Sequence, residues 1–535
     1  MHTDPVGAAS AAKFAECSGL KNRSHRRIHA PQVLATANWD IANIKHPERI
    51  LDLHTHLFNS RYLPLGRILA DMMGKERSVL ADVVAKLIWR ITGSNHVGRH
   101  SLAGDPHVHH RSTEELVDSI WRISAHELAT AGPVPLDLTI QHSQRVVDIL
   151  ERSDLMGIVH ELEEIDYQAE GVPPEELPAL QDQPDIAAFD KGMVLGKAGL
   201  VIRRALRAIS RLSRKLEHGE DVLEFVLTML KSEDDLVDKL FEGYGDGLPP
   251  IRAVHYMMDM EHAYPQPATM RYYFQPHQLQ EMQRLKRNNG GRIIGFSAFD
   301  PRRDNWRAIA EQSMAMGFAG FKFYPALGYK PVGNDATIQG RIDGFFDYCI
   351  ERDYPIFAHC TPIGFETKEK LGLNAHPKHW AEVLEKRPSL RLCLGHAGGG
   401  EAERNDSNKK TKYYGWAARD ESQWNSADNF ARIVSELCKE YSNVYCEIAY
   451  MPEMIDDKDR IHWFVENLER ARAQAGRFDF MTKIAYGSDW HMPSAVDNAR
   501  RYLNVYLEIF NRPEYVCYLN DVFWRNGYSF MRLDP

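Results

Sequence analysis

The sequence predicts an α/β protein: a closed (β/α)8 TIM barrel with a long helical insertion between strands 1 and 2. Three observations carry this expectation. Short apolar runs alternate with helical stretches in one series from residue 251 onward, and an eighth run stands alone near residue 50. Alternation of this kind implies parallel strands joined by crossover helices. Histidine, lysine and aspartate stand at the ends of several runs, where a barrel places its working groups. An open doubly wound sheet is the rival, but no G-x-G-x-x-G follows the first run and there is no Walker A motif.

The 535 residues are 44% hydrophobic and 26% charged, enough for a large core. The formal net charge is −9, with both signs mixed along the chain, so nothing global points to nucleic acid. No apolar run approaches the roughly 20 residues needed to span a bilayer. The first residues lack the apolar segment of a secretory signal. Seven cysteines without a CxxC pair read as free thiols in a reducing compartment, which makes the cytoplasm the expected location.

Taken in order, residues 1–48 are small, polar and locally basic and read as an arm. The barrel then claims 49–60 and 251–535. Its first run is "RILDLHTHL" (49–57). The segment 61–250 has helical texture, with apolar residues three and four apart in "SVLADVVAKLIWRI", "STEELVDSIWRISAHELA", "LVIRRALRAISRLSRKL" and "DVLEFVLTMLKSEDDLVDKLF". It follows the first strand on the catalytic face, so a lid or an interface is expected of it. Its basic helix reads as a packed helix with a solvated face rather than a membrane-surface helix. Its histidine-rich stretch "HVGRHSLAGDPHVHHRS" reads as a polar loop. The remaining seven runs are 251–260, 291–300, 317–325, 354–360, 390–399, 443–450 and 483–490, with "NWRAIAEQSMAMG", "GFFDYCIERD" and "WAEVLEKRP" among the helices between them.

The run ends carry the chemistry. His54 and His56 close the first run two residues apart, so both point to one face of a strand. Neutral imidazoles are good ligands for zinc. Asp52 should share that inward face as a buried, hydrogen-bonded structural acid. Lys322 sits between Phe321 and Phe323 in the fourth run, and alternation turns it inward. A lysine there must be paired, neutral or modified. His359, His396 and Asp489 end the fifth, sixth and eighth runs. Each alone reads as a satisfied core residue, but together they point to a metal site. Glu447 in the seventh run is left open.

On these residues the chain resembles the amidohydrolase superfamily over roughly 49–60 and 251–535. "LDLHTHLF", "FDPRRD", "GFKFYPALGYKP", "IFAHCTPIGFE", "LGHAGG" and "YGSDW" are most similar to the amidohydrolase 2 branch, which includes decarboxylases related to aminocarboxymuconate semialdehyde decarboxylase. The resemblance implies that His54, His56, His359 and Asp489 hold a first metal, with zinc the expected ion. It implies that His396 binds a second ion or orients water and substrate. It leaves Lys322 either carbamylated and bridging two ions or part of a one-metal site.

The function so implied is a metal-dependent hydrolase, in which an activated water attacks an amide, ester or lactone carbonyl of a small substrate. Asp489 takes the proton, and Asp489 or His396 returns it. Arg302 and Arg303 are candidate carboxylate clamps, with pairing to neighbouring acids the equal alternative. Tyr324 and Tyr329 are candidate lining residues, with packing the preferred reading, and Trp490 and His491 are candidate floor. The same parts would serve a decarboxylase of a small aromatic or muconate-type acid. A rival from another class is a non-catalytic barrel whose insertion binds a partner. A small-molecule substrate is the expected partner, a homo-oligomer is compatible, and neither nucleic acid nor a membrane span is expected.

Overall fold

The computed structural model describes residues 44–68, 92, 225, 228–229, 231–264, 270, 272–365, 371–406, 409–492, 495–496 and 498–534. The arm at 1–43, the histidine-rich stretch at 96–112, and the helices expected at 78–91, 112–129 and 200–216 lie outside the described residues.

All eight expected strands are present in the expected order. They are β1 (Ile50–Thr55), β2 (Ile251–Tyr256), β3 (Ile293–Phe299), β4 (Gly320–Phe323), β5 (Ile356–His359) and β6 (Leu392–Gly395), followed after a hairpin by β9 (Val444–Ile448) and β10 (Ile484–Tyr486). They form one sheet, and each neighbouring pair is parallel. The two ends of the sheet meet: Thr55 bridges Trp490 in parallel register, and the Asp489 N–H donates to the His54 carbonyl at 2.8 Å. The sheet is thus a closed TIM barrel.

The strands are short and buried on both faces, which is why they read as continuous apolar runs. Phe321, Phe323, Ile356, Leu392 and Val444 pack outward with the helices. Leu53, Val254, Tyr256, Phe296, Phe357 and Tyr445 fill the interior. Trp524, Tyr528 and Phe530 from the C-terminal segment pack against that inner set.

The helices fall where the sequence pattern puts them. α1 (Glu233–Tyr244) precedes β2, and α2 (Leu279–Asn288), α3 (Trp306–Ala315), α4 (Ala336–Arg352) and α5 (Pro377–Lys386) are the next four crossovers. α6 (Glu421–Trp424) and α7 (Phe430–Glu440) lead to β9, α8 (Lys458–Ala473) leads to β10, and α9 (Ala499–Phe510) and α10 (Asn526–Met531) follow it. α1 starts at a capping box, in which the Ser232 side chain accepts from the Asp235 N–H while the Asp235 carboxylate accepts from the Ser232 N–H. α5 opens on Pro377, whose missing N–H costs nothing in a first turn.

Three expectations need correction. An antiparallel hairpin, β7 (Ala402–Asp406) and β8 (Lys409–Tyr413), stands between β6 and β9. Its "AERND" and "KKTKY" carry no apolar alternation, so nothing marked them as strands. Second, the cysteines are not all free: Cys349, Cys360, Cys393, Cys438 and Cys446 are free and buried, but Cys517 is disulfide-bonded. Pairing between distant cysteines is set by the fold, and local spacing does not report it.

Third, Asp52 does not share the face of His54. In the β1–β2 register Asp52 opposes Ala253, and the next aligned pair is Thr55 with His255. Three steps on β1 face two on β2, so β1 carries a bulge. Before it, Leu51 and Leu53 join the inner set while Asp52 turns outward to Tyr244 and Tyr486. After it the phase changes, and His54 faces inward although it differs from Asp52 by two.

Among the described residues no helix is long and apolar enough to cross a membrane.

Candidate metal centre

His54 is the hub of the site. Its Nδ1 lies 3.1 Å from Glu447 Oε2, on β9. That contact assigns the ring proton to Nδ1 and leaves Nε2 unprotonated, with its lone pair turned into the site toward Asp489 and Lys322. His56 repeats the arrangement: its Nδ1 lies 3.1 Å from the Tyr256 carbonyl, which frees its Nε2. Both unprotonated nitrogens meet one oxygen, Asp489 Oδ1, at 3.3 Å from each. Three elements converge here because the bulge in β1 and the closing contacts between β1 and the end of β10 bring them together.

His359 and His396 form a second pair beside the first, with the His54 and His396 ring centroids 4.8 Å apart. His359 Nε2 lies 2.8 Å from the Ile363 carbonyl, and His396 Nδ1 lies 3.4 Å from the Ala449 carbonyl. The two remaining nitrogens, His359 Nδ1 and His396 Nε2, face each other at 3.1 Å. With these tautomers two lone pairs point at one another.

Burial dominates the electrostatics. It pushes His56 and His359 down to about 3, with the Lys322 charge adding to the effect, and holds His54 and His396 well below the usual imidazole range. All four rings are therefore neutral, the form that ligates metal. Burial raises the Asp489 carboxyl to about 7, with Lys322 opposing. It raises Glu447 well above the carboxylate range, with the His396 N–H opposing.

Lys322 is inward, as alternation on β4 requires. Its Nζ lies 3.1 Å from His54 Nε2, and 4.5 Å and 4.7 Å from the ring centres of Phe357 and Tyr256. Burial lowers it to about 8, with Asp489 and Glu447 pulling the other way.

Two groups of buried donors suit a cation: His54, His56 and Asp489, and His54, His396 and Glu447. The first fits better. Its two imidazole nitrogens are unprotonated and already face the carboxylate, whereas an ion between His54 and Glu447 would displace the proton that joins them. Neutral nitrogens, an oxygen anion and hydrogen bonds on the outer ring nitrogens are the donor set of zinc and its neighbours.

The sequence passed over several residues that hold this geometry. Glu447 accepts from the His54 ring and from the His396 N–H at 3.0 Å, fixing two histidines with one carboxylate. A lone acid inside the apolar run "NVYCEIAY" was the available signal. A Cβ on Gly487 would lie 2.4 Å from Glu447 Oε1, so only glycine fits there. His396 and Ala397 both adopt left-handed backbone, with φ of 59° and 46°. That turn is secured by the Trp416 indole, which donates to the Ala397 carbonyl at 2.8 Å.

Of the other expected residues, Tyr324 stacks on His359 with ring centroids 4.5 Å apart. Tyr329 instead serves packing, its hydroxyl donating to the Phe299 carbonyl at 2.8 Å. Arg302 pairs with Asp300, and Arg303 with Asp259 and Glu261. Both guanidinium forks are occupied by neighbouring acids. His491 is tied to the Phe58 carbonyl at 2.9 Å and the Trp490 indole to the Val496 carbonyl at 3.0 Å.

Residues 273–508 match the family described as "Amidohydrolase". That segment, which spans most of the barrel, is similar to the amidohydrolase family. No curated protein matches the chain. The solved structures to which this chain is similar include a 5-carboxyvanillate decarboxylase of Novosphingobium aromaticivorans with bound manganese, at 13% identity and TM-score 0.38, over 62% of this chain and 92% of that one. Another is a probable 2-pyrone-4,6-dicarboxylic acid hydrolase of Acinetobacter baumannii, at 11% identity and TM-score 0.33, over 56% and 88%. A third is an amidohydrolase of Burkholderia multivorans with bound zinc, at 12% identity and TM-score 0.35, over 58% and 92%.

Proposed function

We propose that this protein is a metal-dependent hydrolase of a small amide, ester or lactone. The observation that carries the reading is the meeting of the His54 and His56 Nε2 lone pairs on Asp489 Oδ1, 3.3 Å from each. His54, His56 and Asp489 would hold a divalent ion, zinc by the donor set, with His359 and His396 beside it. Such an ion supplies Lewis-acid polarisation of a carbonyl and of a water. Asp489 would accept a proton from that water and return it to the leaving group. Neutral His396 is a second proton acceptor beside the same site. Tyr324, stacked on His359, would line the pocket.

For Lys322 the surroundings support an ammonium and a single ion. It lies 4.5 Å and 4.7 Å from the ring centres of Phe357 and Tyr256, which stack on each other, and aromatic faces attract a cation and repel a carbamate anion. In that form it would face a substrate carboxylate. Metal counting on the purified protein should return one ion per chain, and a high-resolution density map should show a bare Nζ. Two ions with added density on Nζ would overturn the single-ion reading and restore the carbamate bridge.

The hydrolase reading is tested by offering the metal-loaded protein a panel of esters, lactones and amides beside aromatic and muconate-type acids. Turnover of the first group without carbon dioxide release is the expected result. Carbon dioxide release from the acids alone would make the protein a decarboxylase instead. A protein that holds no stoichiometric metal and turns over neither group would be a binding module.

A further inference from the structure

We infer that Tyr244, the last residue of α1, is a positioning residue for the metal centre and acts through Asp52. This deepens the metal reading above and rests on it. The Tyr244 hydroxyl donates to Asp52 Oδ2 at 2.6 Å, and Ser488 Oγ donates to the same oxygen at 2.5 Å. Asp52 Oδ1 accepts from the Ser488 N–H at 2.9 Å and from the His54 N–H at 3.2 Å. The Trp490 N–H in turn donates to Ser488 Oγ at 3.1 Å. One buried carboxylate therefore ties the backbone of His54 to the backbone on both sides of Asp489. These are the two chain segments whose side chains must meet, and they are more than 400 residues apart in sequence.

Asp52 can do this only because the bulge in β1 turns it away from the barrel interior, toward the helix layer. There its side chain is fully buried. An outward acid with no partner would be costly, so its second oxygen needs donors from that layer. α1 supplies one. The helix is itself fixed at this end, because Arg500 Nη1 donates to the Tyr244 carbonyl at 2.9 Å. The hydroxyl touches none of the candidate ligands, so its effect on them passes through Asp52. Removing it leaves Asp52 Oδ2 with Ser488 Oγ as its remaining donor and loosens the carboxylate that holds His54 and the Asp489 segment together. Partners one step behind metal ligands alter metal affinity by about 10- to 100-fold when lost.

Tyr506 provides the comparison. It is as deeply buried, and its hydroxyl is bonded to that of Tyr502 at 3.2 Å, away from Asp52. The experiment uses Co2+ as probe, with affinity from competition titration and geometry from the visible absorption of the bound ion. Tyr244→Phe should weaken Co2+ binding by about 10-fold or more and shift the spectrum, while Tyr506→Phe changes neither, whatever each does to Tm. Ser488→Ala removes the other hydroxyl from the same carboxylate and should act in the same direction, so it decides the question if Tyr244→Phe does not fold. Wild-type affinity with an unchanged spectrum in both Tyr244→Phe and Ser488→Ala would overturn the inference and leave the metal reading standing. Equal weakening by Tyr506→Phe would also overturn it, as general loosening of the fold. A wild-type protein that binds no Co2+ would remove the metal reading and this inference with it.

Discussion

Alanine at both His54 and His56 should leave the purified protein without its metal and abolish turnover. The two rings contribute the nitrogens that meet Asp489. The group His54, His56 and Asp489 keeps one donor of three, so the activity loss should be at least as large as the roughly 10²–10⁴-fold typical of removing one proton-transfer group. The His54 ring also packs against Phe357 and Tyr256, with centroids 4.7 Å and 5.2 Å away, so the double variant must first be shown to be folded. Elemental analysis of the double variant, beside circular dichroism, checks this. Full metal retention in a folded double variant would rule the site out.

Asp489→Asn should have the next largest effect, and in two separate readouts. The amide cannot accept a proton, so kcat should fall by about 10²–10⁴-fold. The second readout is the stability of the metal-free protein. Burial raises the Asp489 carboxyl to about 7 in the folded protein, against an ordinary value of 3.8. Between these values the folded state holds a proton that the unfolded state has released. Stability of the metal-free wild type therefore falls as pH rises from about 4 to about 7, by up to about 1.4 kcal/mol per unit from this group. The asparagine variant lacks this contribution. Urea denaturation of the two chelated proteins across that range should show the wild type losing ground to the variant as pH increases. Parallel curves would mean that Asp489 is not held protonated by its surroundings.

The same physics explains why a metal would be welcome here. Burial leaves four imidazoles neutral and one carboxylate reluctant to ionise, with lone pairs facing each other at the centre. Lys322 is the nearby positive charge, and burial weakens it as well. A divalent cation relieves the acceptor crowding and the carboxylate together, so binding should stabilise the folded chain.

Much of this arrangement was decided locally. Strands buried on both faces must be apolar throughout, so all eight were visible as runs, and their order followed from alternation with helices. A histidine, lysine or aspartate that ends such a run is conspicuous because it is costly to bury without purpose. His54, His56, Lys322, His359, His396 and Asp489 could therefore be named before any coordinates. The β7–β8 hairpin could not, because its residues pair through backbone bonds on the rim and carry no apolar signal.

What only the tertiary structure decided is the phase and partnership of those residues. Period-two reasoning placed Asp52 with His54, and one extra residue in β1 reversed it, because a bulge is a mismatch between two strands and cannot be read from one. Glu447 looked like any buried acid until β9 set its carboxylate between the His54 ring and the His396 backbone. Arg302 and Arg303 read equally as substrate clamps and as partners of nearby acids until the loops after β2 and β3 brought Asp259, Glu261 and Asp300 to them. The sequence determined which groups lie at the strand ends, because burial selects residue types one position at a time. The closed barrel decided which lone pair meets which proton, because hydrogen bonds join residues that only the complete circuit of strands brings together.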